Sequence, residues 1–85
     1  GAMIRTDIYE RIEHERREQH AKWGGTHEWG VGDCSSPDVA ITVKAAVLAE
    51  ECGEVSRAVL DQDREQLRTE LIQVAAVAVA WLEGM

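Results

Sequence analysis

Lys44-Ala-Ala-Val-Leu-Ala-Glu-Glu-Cys-Gly-Glu54 carries an apolar helical pattern into three carboxylates within five positions. At about 100° per residue, Ile41, Ala45, Leu48, Cys52, Val55 and Val59 fall on one stripe, which predicts an amphipathic helix with that stripe in the core. On the same wheel Glu51 lies about 80° from the stripe centre, with Glu54 and Glu50 further round. Glu51 and Glu54 therefore share a flank, which Val43 and Val47 extend toward the amino terminus. Like charges at this spacing destabilise a helix by about 0.2–0.5 kcal/mol, so the cluster is costly unless a cation neutralises it. A divalent ion is one candidate, and a solvated acidic face is the other.

Working outward, Ser36-Pro37-Asp38 reads as a helix start, with serine as N-cap, proline at the first helical position and an acid in the first turn. The second helix is then expected over about 37–60. Asp61-Gln62-Asp63 breaks it, and Asp63 with Gln66 resembles a capping box for a third helix over about 64–83. There Leu67, Leu71, Val74, Ala78 and Trp81 make a core stripe, with Glu70 about 80° to one side and Gln73 beyond it. Residues 71–82 contain a single polar side chain, and a helix apolar all round is buried on all sides. Two other helices cannot cover it, so a homo-oligomer is expected, a two-fold dimer or a dimer of dimers, with this alanine-rich helix against the partner chain. Gly84 supplies the carboxy-terminal stop.

Toward the amino terminus, Ile4, Ile8 and Ile12 begin a first helix over about 4–22 whose second half is strongly charged. That half reads as a solvated face, or as one from which Arg16, Arg17 or Lys22 reaches a phosphate. Residues 23–36 hold four glycines and two tryptophans with no periodicity and are expected to be a loop. Its length suggests function. Trp23 and Trp29, flanking His27, would either plug the core or offer a platform on which a nucleobase stacks. The Gly-x-x-x-x-Gly-Lys-Ser/Thr pattern of a P-loop is missing.

The chain of 85 residues makes one domain, at a size where oligomerisation is a common way to gain buried area. The expected architecture is all-α, three main helices per chain forming a bundle completed by oligomerisation. A net charge of −7 argues against nucleic acid or an anionic membrane as the main partner, since both need a positive footprint. An acidic protein that binds an anion needs metal ions between them. Cys34 and Cys52 fit neither a disulfide framework nor a ligand pair, and Cys52 falls on the core stripe, so a reducing cytoplasm is the expected location. The amino terminus is polar and no apolar run is long enough to span a bilayer. Gly1 and Ala2 before Met3 read as a cloning remnant.

Mg²⁺ takes oxygen ligands in octahedral geometry and keeps several waters, so a few carboxylates on rigid elements suit it. Glu51, Glu54 and Glu70 are such a set, whereas the Glu-x-x-His pairs of a di-iron bundle are absent. At these residues the chain resembles the all-α nucleoside triphosphate pyrophosphohydrolases of the MazG-like type, marked by Glu-Glu-x-x-Glu and then Glu-x-x-Asp on the next helix. Glu50-Glu51-Cys52-Gly53-Glu54 matches the first element; the second is Glu70-Leu71-Ile72-Gln73, with glutamine where the family has aspartate. The resemblance covers about residues 37–83, and Lys22-Trp23-Gly24 is similar to the amino-terminal segment of small phage- and mobile-element-borne members.

The resemblance implies an enzyme that binds Mg²⁺, with Mn²⁺ as a substitute, through Glu51, Glu54 and Glu70. Water would attack a phosphorus of the nucleoside triphosphate substrate, releasing pyrophosphate and a nucleoside monophosphate, as housekeeping of the nucleotide pool. Glu50 would orient or deprotonate that water, or be plainly exposed. Lys44 is a candidate phosphate contact, or a snorkelling surface lysine. Gln73 can still ligate through its carbonyl oxygen but removes one negative charge, which implies fewer or weaker metals. Base contacts would come from Trp23, His27, Trp29 or a neighbouring chain, and Lys22 is a further substrate-binding candidate. A second reading is a catalytically silent helical dimer that binds nucleotides or a protein partner, with Gln73 marking lost activity.

Overall fold

The computed structural model describes residues 2–85; Gly1, half of the expected cloning remnant, lies outside the described residues. The architecture is all-α, as the periodicity requires. Helices α1 (Arg5–Trp23), α2 (Ile41–Leu60) and α3 (Arg64–Glu83) are joined by a short antiparallel ribbon, β1 (Thr26–His27) and β2 (Gly30–Val31), between the first two. The molecule is a slab of 40 × 28 × 19 Å. Helix α3 is its middle layer, packing against both α1 and α2, and a cleft opens between those two above it. Among the described residues no helix is long and apolar enough to cross a membrane.

Helix α2 starts at Ile41, four residues later than the Ser-Pro-Asp signature predicts, and its N-cap Ala40 offers no side-chain hydrogen bond. Ser36 caps a turn instead. Its Oγ accepts from the Asp38 N–H at 3.2 Å and its carbonyl from the Val39 N–H at 3.3 Å. A serine that bonds its neighbouring backbone stabilises a turn as readily as a helix start. The outcome is decided by Val39, which the turn drives into the interior at 3% exposure. At α3 the signature holds in half: Asp63 Oδ1 accepts from the Gln66 N–H at 2.9 Å, but the Gln66 side chain turns forward to Glu70 Oε1 at 2.6 Å.

The segment expected to be plain loop contains the β1–β2 ribbon, with Thr26 opposite Val31 and His27 opposite Gly30. Gly30 and Gly32, at φ +128° and +100°, give it the left-handed backbone that other residues resist. Gly84 does end α3, but with φ −85° it needs no such freedom. A side chain there would bring its Cβ within 2.7 Å of the Ser35 carbonyl oxygen, so glycine lets the loop lie across the end of α3.

Both core stripes are turned relative to expectation. In α2 the buried positions are Lys44 and Ala58, with Val43, Val47, Leu48, Glu51 and Val55 half-buried; Ile41, Ala45, Cys52 and Val59 face outward. In α3 the buried residues are Glu70, Ala76, Val77 and Ala80, while Leu71, Ala78 and Leu82 are exposed. The carboxylate flanks, rather than the largest apolar side chains, face the inside of the chain. Cys52, expected on the core stripe, is turned outward as well. Cys34 is buried with Val77 and Ala80 against Val47 and Leu48, and Cys52 is exposed. No large side chain is fully buried among the described residues.

What ties α1 and the loop to this small core is ionic. Arg16, read as a solvated or phosphate-reaching residue, is 6% exposed. Its guanidinium donates to Asp33 Oδ2 at 3.0 Å and Oδ1 at 3.5 Å and pairs through Nε with Glu83 Oε1 at 3.3 Å. Asp33 also accepts from the Ser35 N–H at 2.9 Å and hydroxyl, and His20 Nδ1 lies 3.3 Å from its Oδ2. A planar fork matched to a carboxylate in this way satisfies most of the lone pairs that burial would otherwise strand.

Candidate metal and substrate cleft

The cleft between α1 and α2 has a volume of about 680 Å³ and a floor of Glu70, Gln73, Val77 and Ala80 from α3. Two regions follow one another along it. One is apolar and aromatic, with Val39, Val43, Val47 and Cys34 beside Trp23 and Trp29. The other is acidic, with Glu50, Glu51 and Glu54 from α2 facing Glu15 and Glu18 from α1 across Glu70. The helical periodicity explains the change: Val43, Val47, Glu51 and Glu54 are one flank of α2, apolar in its first half and acidic in its second.

Glu51, Glu54 and Glu70 each offer one oxygen, all within 4.8 Å of one another. The Glu50 charge adds to theirs, and the amides of Gln66 and Gln73 lie against them. The Gln73 amide, with its nitrogen turned to the cluster, donates to Glu51 Oε2 and Glu70 Oε2 at 3.1 Å each. Burial first, then the Glu54, Glu70 and Glu50 charges, push the Glu51 carboxyl up to about 7. Glu54 is raised too, through a hydrogen bond shared with Glu70. Across the cleft Glu15 is raised by burial, then by Glu18, and in part by Glu70.

This donor set fits a hard divalent cation. Octahedral ligands at about 2.0–2.1 Å stand about 2.9 Å apart when adjacent and about 4.2 Å when opposite, so three oxygens within 4.8 Å of one another would have to draw together, by up to about 2 Å for adjacent pairs, around Mg²⁺. The exposed Glu54 side chain can supply that movement.

The other sequence candidates divide. Trp23 and Trp29 line the cleft at 41% and 40% exposure, so neither plugs the core; their rings lie 6.3 Å apart between centroids. Lys22 lines the cleft and holds its ammonium 4.8 Å from the Trp23 ring centroid. His27 backs the aromatic wall, stacked on Trp29 at 4.3 Å with Nε2 at 2.7 Å from the Trp23 carbonyl. Lys44 departs from both of its readings. It is 3% exposed, is absent from the cleft lining, and its Nζ lies 3.1 Å from where a Cβ on Gly84 would stand. There it meets the end of α3, where unpaired carbonyls favour a cation.

Sequence reasoning missed Glu15 and Glu18. They repeat the i, i+3 spacing of Glu51 and Glu54, a signal hidden by the charged residues around them. Asp33 and Cys34 were missed because loop residues have no periodicity to read.

No family model, no curated protein and no solved structure matches the chain.

Proposed function

We propose that the protein is a Mg²⁺-dependent nucleoside triphosphate pyrophosphohydrolase, converting a (d)NTP and water to a (d)NMP and pyrophosphate. The observation that carries this reading is the convergence of Glu51, Glu54 and Glu70 within 4.8 Å in a cleft that continues into an apolar and aromatic region. A nucleotide has the same two-part chemistry, a polyanion joined to a flat ring. The Trp23 and Trp29 faces suit stacking on that ring. Bound Mg²⁺ would neutralise the phosphates and orient the attacking water, which is most of what phosphoryl transfer asks of a protein. Glu51, Glu54 and Glu70 hold the ion, and Glu50 on the cleft wall receives or orients the water proton. Lys22 at the rim supplies a cation for the phosphates.

The second reading, a catalytically silent nucleotide-binding module, is favoured by one observation. Gln73 turns donors toward Glu51 and Glu70, so an amide already does part of what a cation would. Incubating the pure protein with a panel of dNTPs, with Mg²⁺ and with EDTA, tests the first reading. Mg²⁺-dependent pyrophosphate release is expected from at least one nucleotide. A folded protein that releases none from any contradicts it, and activity gained only in Gln73→Asp favours the silent module.

A further inference from the structure

The cleft changes from acidic to apolar at the same level on two of its helices. On α1 the lining residues Glu15, Gln19 and Trp23 are four positions apart, so each step is one turn, about 6 Å along the axis. On α3 the floor runs Glu70, Gln73, Val77, in steps of about 4.5 and 6 Å. Both helices thus pass from a carboxylate through a glutamine to an aromatic or apolar side chain. A hydrogen bond joins the two midpoints, Gln19 Nε2 donating to the Gln73 carbonyl at 3.4 Å. Gln19 therefore stands over the junction between the acidic and aromatic regions.

Its hydrogen-bonding capacity there is not used up. The bond to Gln73 is the one hydrogen bond of the Gln19 side chain among the described residues, and it takes one of two amide hydrogens and leaves the carboxamide oxygen. Two other polar groups of the cleft lining are already engaged. The Gln73 amide donates to Glu51 and Glu70, and the Asp33 carboxylate accepts from Arg16 and Ser35.

We propose that Gln19 holds the pentose of the nucleotide, through the 3′-hydroxyl that ribo- and deoxyribonucleotides share. The inference rests on the nucleotide reading of the cleft. With the phosphates at Glu51, Glu54 and Glu70 and the ring against Trp23 and Trp29, the sugar is the part that lies between them. About 10 Å of α3 separates Glu70 from Val77, which leaves room for it. A hydroxyl both donates and accepts, and a carboxamide offers the matching acceptor and donor on neighbouring atoms. Gln19 is a specificity-determining residue here and takes no part in the chemistry at phosphorus.

Tryptophan fluorescence tests this without turnover, because Trp23 and Trp29 line the cleft. The titrants are α,β-imido dNTPs, which resist cleavage at that bond, and their 2′,3′-dideoxy counterparts, which lack only the 3′-hydroxyl, each with Mg²⁺. The wild-type protein should bind the 3′-hydroxyl form about three- to tenfold more tightly, the worth of one neutral hydrogen bond. Gln19→Met, similar in shape, should bind both forms with the affinity of the wild type for the dideoxy form. A wild type that binds the two forms equally overturns the inference with no variant needed. A Gln19→Met protein that keeps the wild-type ratio, or weakens both forms alike, also overturns it, because Gln19 would then be a structural residue. Discrimination by a protein that releases no pyrophosphate from dNTPs counts against the hydrolase reading alone, and failure to bind either form overturns both.

Discussion

Asp33 and Glu51 are both carboxylates turned toward the inside of a small chain, yet their surroundings act on them in opposite directions. Burial alone would raise the Asp33 carboxyl, but the Ser35 hydrogen bonds and the Arg16 guanidinium outweigh it and hold the group below the usual carboxylate range. Around Glu51, burial and three neighbouring glutamates act together and push it to about 7. The first cluster carries its counter-charge within the fold and serves as a structural clamp. The second is built from like charges on two helices, whose mutual repulsion is relieved by the Gln66 and Gln73 amides and by a proton on Glu51.

Glu51→Gln breaks the comparison from the functional side and has the largest expected effect. Removing one ligand carboxylate should lower pyrophosphate release by about 10²–10³-fold, or about 3–4 kcal/mol of barrier. The metal-free variant should melt a few degrees higher than wild type, since a repelled charge has gone. Steady-state assays and thermal melts in EDTA check both. A variant that is inactive and also less stable would mean that Glu51 is an ordinary structural residue.

Asp33→Asn breaks it from the structural side. Arg16 and Asp33 are 6% and 8% exposed, and removing one charge of a buried pair costs about 3 kcal/mol. For a domain of this size that lowers Tm by on the order of 10–20 °C. A change below about 2 °C would show that the clamp contributes nothing. Glu51→Gln and Asp33→Asn should thus move Tm in opposite directions.

A smaller effect follows from pH. The folded chain binds the Glu51 proton more tightly than the unfolded chain does, so this group's contribution is complete below about pH 4.5 and is lost as pH rises through about 7. Asp33 acts in reverse: its contribution is present above its ordinary value of 3.8 and lost as pH falls through its lowered one. Metal-free Tm should therefore decline between about pH 4.5 and 7, and saturating Mg²⁺ should flatten that decline by replacing the proton. A metal-free melting curve level across this window would remove Glu51 from the account.

Helix number and most helix ends were legible because period and breakers are local properties. Asp61-Gln62-Asp63 stops α2 and Gly84 stops α3 where composition says they should. The orientation of the helices was not legible. A helical wheel assigns the inside to the largest apolar side chains, and here Val43, Val47 and Glu51 face in while Ile41 and Val59 face out. The wheel has no means of knowing that one apolar face meets this chain and another meets solvent or a partner. For the candidate cleft, the pairing of Glu51 and Glu54 with Glu70 was readable because helical spacing puts all three at similar offsets. The Arg16–Asp33–Glu83 clamp joins residues 17 and 67 positions apart, and no pattern within a segment announces it.

Under the proposed function, the Glu51, Glu54 and Glu70 cluster holds a cation. Isothermal titration of Mg²⁺, and of Mn²⁺ in parallel, into the metal-free protein at pH 7.5 tests it most directly. Saturable binding is predicted, lost in Glu51→Gln and retained in a folded variant of the clamp such as Glu83→Gln. Absence of saturable binding to a folded wild-type protein, or binding that survives in Glu51→Gln and Glu70→Gln alike, would contradict it.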